Sequence, residues 1–161
     1  MLEAVQKIPS AQTVRDRVLS IVDESTINKI CLRFLSRSEN VSMARLMAAA
    51  VASECQMTVA ELDEIKVAVS EAVSNAIIHG YENRADCYIE MSVALTPTRL
   101  VISVHDDGVG IADIPKVMRP SYSQSDRMGL GFAFMKSFMD EVDVQSSLGC
   151  GTTVILHKEL S

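Results

Sequence analysis

The sequence predicts one α/β domain of the α+β kind. Three observations predict it. Asp63–Gly80 carries apolar residues at three- and four-residue steps, the period of a buried helix face. Asp86–Leu95 and Leu100–His105 alternate apolar with small or polar residues, the period of half-buried strands. The 161 residues are 48% hydrophobic and 22% charged, enough for one core, and show no repeat or linker. The chain divides into an extension, 1–27, whose role is left open, and a domain, 28–161.

Composition narrows the function. With no Trp, three Tyr and four Phe, the interior must be filled by aliphatic residues and nine Met. The net charge of -6 argues against sequence-independent nucleic-acid binding, which needs a basic surface. No apolar run reaches membrane-spanning length, and the first residues lack a signal-peptide core. Cys31, Cys55, Cys87 and Cys150 form no CxxC pair; they are expected to be buried, reduced thiols, which fits a cytoplasmic protein.

In chain order, Val14, Val18, Ile21 and Val22 mark a short amphipathic helix after Pro9. Lys29–Ser36 alternates as a strand. Asn40 opens a helix to about Cys55, with Ala44, Ala48 and Ala52 as a small-residue edge and Arg45 beside it. Thr58-x-x-Glu61 is a capping box for the central helix, and Gly80 suits its end. On that helix Ile65, Val69, Ala72 and Ala76 form the buried stripe. Glu71 and Asn75 lie one turn apart on a neighbouring face. Thr96-Pro97-Thr98 turns between the two alternating strands, which read as an antiparallel hairpin. Ala112–Met128 is a long loop of weak periodicity. Gly129-Leu130-Gly131 opens a helix to about Met139, with Leu130, Phe134, Met135 and Phe138 as its apolar residues. Val142–Ser147 and Thr152–Lys158 close the chain as strands around a glycine-bearing turn.

Several of these residues carry chemistry. A carboxylate and a carboxamide one turn apart suit a cation-bound polyphosphate, with Asn as a hard neutral magnesium ligand and Glu as a general base. Taken alone, the pair equally describes a solvated helix edge. Asp106-x-Gly108-x-Gly110 leaves a strand end, where an Asp can accept a hydrogen bond from an exocyclic amine. Gly129-x-Gly131 opens a helix whose free amides attract anions, and Arg127 precedes it. The second glycine of a P-loop and the third of a dinucleotide fingerprint are both missing.

In this order the boxes resemble the GHKL ATPase superfamily. DEIKVAVSEAVSNAIIHGY (63–81), HDDGVGI (105–111) and the stretch from GLGFAFMKSFMDEVDVQSS to GTT (129–153) look closer still to the bacterial anti-sigma-factor serine kinases of sporulation. The resemblance covers about Lys29 to Leu160. It implies the GHKL (Bergerat) ATP-binding fold, an α/β (α+β) two-layer sandwich with a mixed, mainly antiparallel sheet and helices on one face. It implies ATP and magnesium as cofactors and a homodimer. It implies two partners, a sporulation sigma factor of the sigma F type and an anti-anti-sigma factor phosphorylated on serine.

The resemblance also assigns roles. Glu71 would be the catalytic base and Asn75 the magnesium ligand. Asp106 would receive the adenine amine in a pocket shaped by Gly108 and Gly110. Ala112–Met128 would be the lid, Arg127 would touch the γ-phosphate, and Gly129 and Gly131 would supply amides. Thr153 would close the adenine side, and Arg45 would face the partner. The lid is a few residues short, and Met128 stands where a small polar residue is common. The alternatives are a general stress anti-sigma kinase, a non-catalytic ATP-binding module that sequesters sigma, and a histidine kinase catalytic domain. Against the last, only His79, His105 and His157 exist, none in a separate dimerisation helix pair.

Overall fold

A computed structural model describes residues 25–119 and 127–161. The expected helix around Val14–Val22 and lid residues 120–126 lie outside the described residues.

Five strands form one sheet: β1 (Asn28–Leu35), β2 (Tyr88–Leu95), β3 (Arg99–Asp106), β4 (Glu141–Ser146) and β5 (Thr152–Glu159), in the order β1-β2-β3-β5-β4. Every pairing is antiparallel, so the mixed component expected of the sheet is absent among the described residues. The helices are α1 (Asn40–Ala52), α2 (Val59–Asn75), the single turn α3 (Ile114–Val117) and α4 (Arg127–Phe138). α2 packs between α1 and α4.

Period-two burial fixes which face meets the helices. Ile89, Met91 and Val93 of β2, Leu100, Ile102 and Val104 of β3, and Val154 and Leu156 of β5 join one core with Ile65, Val69, Ala72 and Val73 of α2. Ala44, Ala48 and Ala52 are fully buried, and the small-residue edge of α1 faces α2 as expected. α4 departs from the expectation. Phe132, Met135 and Met139 are buried, whereas Leu130 and Phe134 stand largely in solvent. Phe132, Met135 and Met139 follow each other at three- and four-residue steps and form the inward row. The thiols also differ from expectation: Cys31 and Cys150 are exposed, and Cys55 and Cys87 are half-buried.

The central helix begins as the sequence reads. Thr58 Oγ1 accepts from Glu61 N–H at 3.2 Å, and the Glu61 carboxylate accepts from Thr58 N–H at 2.7 Å. Its last turn is different. Ala76–Gly80 widens into one π-helical turn, closed by Tyr81 N–H donating to Ala76 O at 2.9 Å. That turn brings Gly80 O to within 2.9 Å of Val109 N, just past the end of β3.

Candidate active site

A cleft opens where the end of α2, the end of β3, the start of β5 and α4 meet. Asn75, His79, Asp106, Ile111, Thr152 and Phe132 are among its walls. Its free volume is about 20 Å³, close to the space of one water.

The sheet-side wall is held by backbone. Asp106 is buried, 3% exposed, and its Oδ1 accepts from Gly108 N–H at 2.9 Å. Burial, the largest influence, pushes its carboxyl up to about 6; the Gly108 hydrogen bond and the neighbouring His105 pull the other way. Gly151, at φ +76, runs so close beneath β3 that a Cβ there would sit 1.9 Å from Asp106 O. Gly110 lines the cleft, and Gly108 lies against the Gly80 carbonyl. Tyr81, a residue the sequence reading passed over, locks this wall. Its hydroxyl accepts from Asp107 N–H at 2.8 Å and donates to Tyr88 O. Burial pushes that phenol up to about 12, so it stays protonated as a donor.

The helix-side wall is held by side chains. Glu71 and Asn75 project together from α2 toward α4. A Cβ on Gly131 would lie 2.9 Å from Glu71 Oε2 and 3.3 Å from Asn75 Nδ2. Glu71 is half-buried, and burial raises its carboxyl above the ordinary range. Asn75 Nδ2 is buried and has no hydrogen-bond partner among the described residues. Such an orphan costs about 1–3 kcal/mol, and a ligand can relieve it.

The structure therefore brings Asn75, Asp106 and Gly110 to one cleft, with Gly108 packed on Gly80 behind Asp106, and Glu71 beside Asn75 where both approach Gly131. Two assignments change. Gly131 is the fifth residue of α4, past the first four, whose amides lack helical partners, so it supplies close approach and not a free amide. Gly129 is the third residue of α4. Thr153 points away from the cleft: it faces His105 across β3 and β5, with 2.8 Å between Oγ1 and Nδ1, on the sheet face opposite the helices. Thr152, in register with Asp106, is the threonine of the wall. Adjacent threonines in a strand point to opposite faces, and the sequence alone does not say which is which. Arg127 begins α4; its side chain lies outside the described residues. Arg45 is exposed on α1 and makes no ion pair among the described residues.

The donor set fits a magnesium-bound adenine nucleotide. It offers a carboxamide whose unpartnered Nδ2 can donate to a phosphate oxygen and whose Oδ1 is the magnesium-type ligand atom, a half-buried carboxylate beside it, and a buried carboxylate at a strand end. The class that this fold and cleft define is the histidine kinase-like ATPase domain, whose family profile matches residues 34–158. Curated relatives narrow it. An anti-sigma F factor of Clostridium acetobutylicum is 45% identical over 137 residues, covering 83% of this chain and 95% of that protein. One of Geobacillus thermodenitrificans is 44% identical over 137 residues, covering 83% and 94%. The chain belongs to the histidine kinase-like ATPase family, among the anti-sigma F factors.

Solved structures agree on the fold. The RsbU and RsbW domains from a Mycobacterium tuberculosis protein superpose with TM-score 0.58 at 18% identity, over 83% of this chain and 32% of that one. A blue-light activated histidine kinase of Erythrobacter litoralis gives 0.52 at 24% identity, over 65% and 32%. The chain thus spans about a third of each of those proteins. Among the described residues no helix is long and apolar enough to cross a membrane.

Proposed function

We propose that this protein is an ATP-dependent anti-sigma factor and protein serine kinase. It holds a sporulation sigma factor of the sigma F type and phosphorylates a serine on an anti-anti-sigma antagonist. The observation that carries this reading is the meeting of Asn75 with Asp106 in one cleft, with the Glu71 carboxylate beside Asn75 against Gly131 of α4. The relatives' shared name supports the sigma partner.

Phosphoryl transfer needs positioning and charge neutralisation more than covalent help. Asp106, ionised, accepts from the adenine amine. Thr152 closes that side in place of Thr153. Asn75 offers its carboxamide oxygen to magnesium, which neutralises phosphate charge when bound. Arg127, at the start of α4, is assigned to the terminal phosphate. Glu71 accepts the proton as the antagonist's serine oxygen bonds to the γ-phosphorus and the bond to ADP breaks. The raised Glu71 carboxyl suits a base that must take up a proton near neutral pH. The narrow cleft requires Met128 and Phe132 of α4 to draw back as nucleotide enters. Arg45, exposed on α1, contacts the partner, and the protein acts as a homodimer.

The test is recovery of the tagged protein from its native cell with ATP present, followed by mass spectrometry. A co-purified sigma F-type factor and an antagonist phosphorylated on serine support the reading. A general-stress sigma factor would redirect it, and sigma without ATP-dependent phosphate transfer would reduce it to a sequestering module.

A further inference from the structure

On the sheet face away from the helices, at the end of β4 farthest from the cleft, three ligand-type side chains converge. Val142, Val144 and Leu156 take the core side, so Glu141, Asp143 and His157 point to the other. Glu141 and His157 are register partners, and Asp143 follows two residues along β4. One ligand atom from each lies within 4.8 Å of the others. His157 Nε2 stands 3.5 Å from Asp143 Oδ2.

The imidazole is the informative member. Its side chain is only 15% exposed, its Nε2 has only the long Asp143 contact, and its buried Nδ1 makes no hydrogen bond among the described residues. A mostly buried ring with one nitrogen unpartnered and the other held by a single 3.5 Å contact to a carboxylate is poorly satisfied by protein alone. Two atoms on one tetrahedral zinc, at about 2.0–2.2 Å each, stand about 3.3–3.5 Å apart. The Nε2 to Asp143 spacing already has that value. Glu141 is exposed and free to swing the remaining distance by a rotamer change.

We propose that Glu141, Asp143 and His157 bind a zinc ion that clips edge strand β4 to β5. An imidazole with two carboxylates suits zinc, whereas magnesium prefers oxygen ligands and water, so this site is distinct in chemistry and place from the nucleotide's. Three protein ligands leave a position for water. The proposal does not rest on the kinase reading.

The experiment is calorimetric titration of zinc chloride into the untagged, nucleotide-free full chain with Cys31→Ser and Cys150→Ser, so that the exposed thiols do not compete. One zinc per chain is expected, with a rise in melting temperature. His157→Gln should weaken binding by more than the roughly 10–100-fold that loss of a supporting hydrogen bond costs a metal site. Asp143→Asn, at a half-exposed position, retains the fold if His157→Gln does not, and should weaken binding likewise. Glu159→Gln, an acidic change two residues along β5, should change neither. Absence of saturable zinc binding, or binding that Asp143→Asn leaves intact, overturns the site. The second result would mean that His157 and Asp143 form only an ion pair.

Discussion

The two walls of the cleft are built by opposite means. On the sheet side, backbone touches backbone: Gly151 beneath Asp106, Val109 N–H on Gly80 O, and Tyr81 bridging Asp107 and Tyr88. On the helix side, Gly131 of α4 meets only the tips of Glu71 and Asn75. The first wall has nothing that can give way, while the second can yield by rotating two side chains. On the proposed reading, the adenine end would be preformed and the phosphate end adjustable. That division suits a cleft that must read one base firmly and then close on a phosphate and an incoming hydroxyl.

The largest effect that could break this comparison is steric. Gly151→Ala would put a methyl 1.9 Å from Asp106 O in a left-handed backbone. It should destabilise the fold by more than the roughly 4–5 kcal/mol that marks exceptional point mutants. Gly131→Ala should melt within a few degrees of the parent, since only side-chain tips must move. Equal losses in a thermal scan would erase the distinction between the walls.

Next in size is chemistry at the adjustable wall. Glu71→Gln should leave ATP binding intact and slow phosphate transfer to the antagonist by roughly 10²–10⁴, the usual worth of a general base. Unchanged transfer of labelled phosphate would remove Glu71 from that role.

At the preformed wall the expected effect is smaller and depends on pH. Asp106 has its carboxyl raised from 3.8 to about 6, so burial disfavours its ionised form. The sign follows. This group favours the fold most below its unfolded value, and that contribution fades as pH rises through about 6. Nucleotide binding runs the other way, because the adenine amine needs the ionised acceptor. Affinity should fall as pH drops below about 6, by up to about tenfold per unit. Asp106→Asn should flatten this component, measured as the difference between the two proteins' pH profiles. Smallest is Tyr81→Phe. Losing one neutral hydrogen-bonding group should weaken adenine-nucleotide binding by about 1 kcal/mol and leave the rate at saturation unchanged. A change in the rate alone would place Tyr81 on the catalytic side.

How much of this was legible in the sequence divides along the same line. The capping box at Thr58, the stripe from Ile65 to Ala76 and the strand alternation are local patterns, and they read through directly. So did the pairing of Glu71 with Asn75, since helical spacing alone sets it. What failed to read depends on tertiary contact. The π turn at Ala76–Gly80 exists because Gly80 must reach the loop after β3. The choice of Thr152 over Thr153 is a one-residue question of sheet face, answered by the register of β5 on β3. Which of α4's several apolar residues face α2 is set by packing, and Leu130 and Phe134 turn outward. Tyr81 carries no motif of its own; its role exists only where two strand ends come within reach of one hydroxyl.

Calorimetric titration of ATP with magnesium into the parent chain and into Asp106→Asn bears most directly on whether this cleft holds an adenine nucleotide. The parent should bind, and the variant should bind more weakly by about 1.5–3 kcal/mol, the worth of a hydrogen bond to a charged group. Equal affinity in the two proteins would contradict the placement of adenine against Asp106, and with it the reading of the cleft.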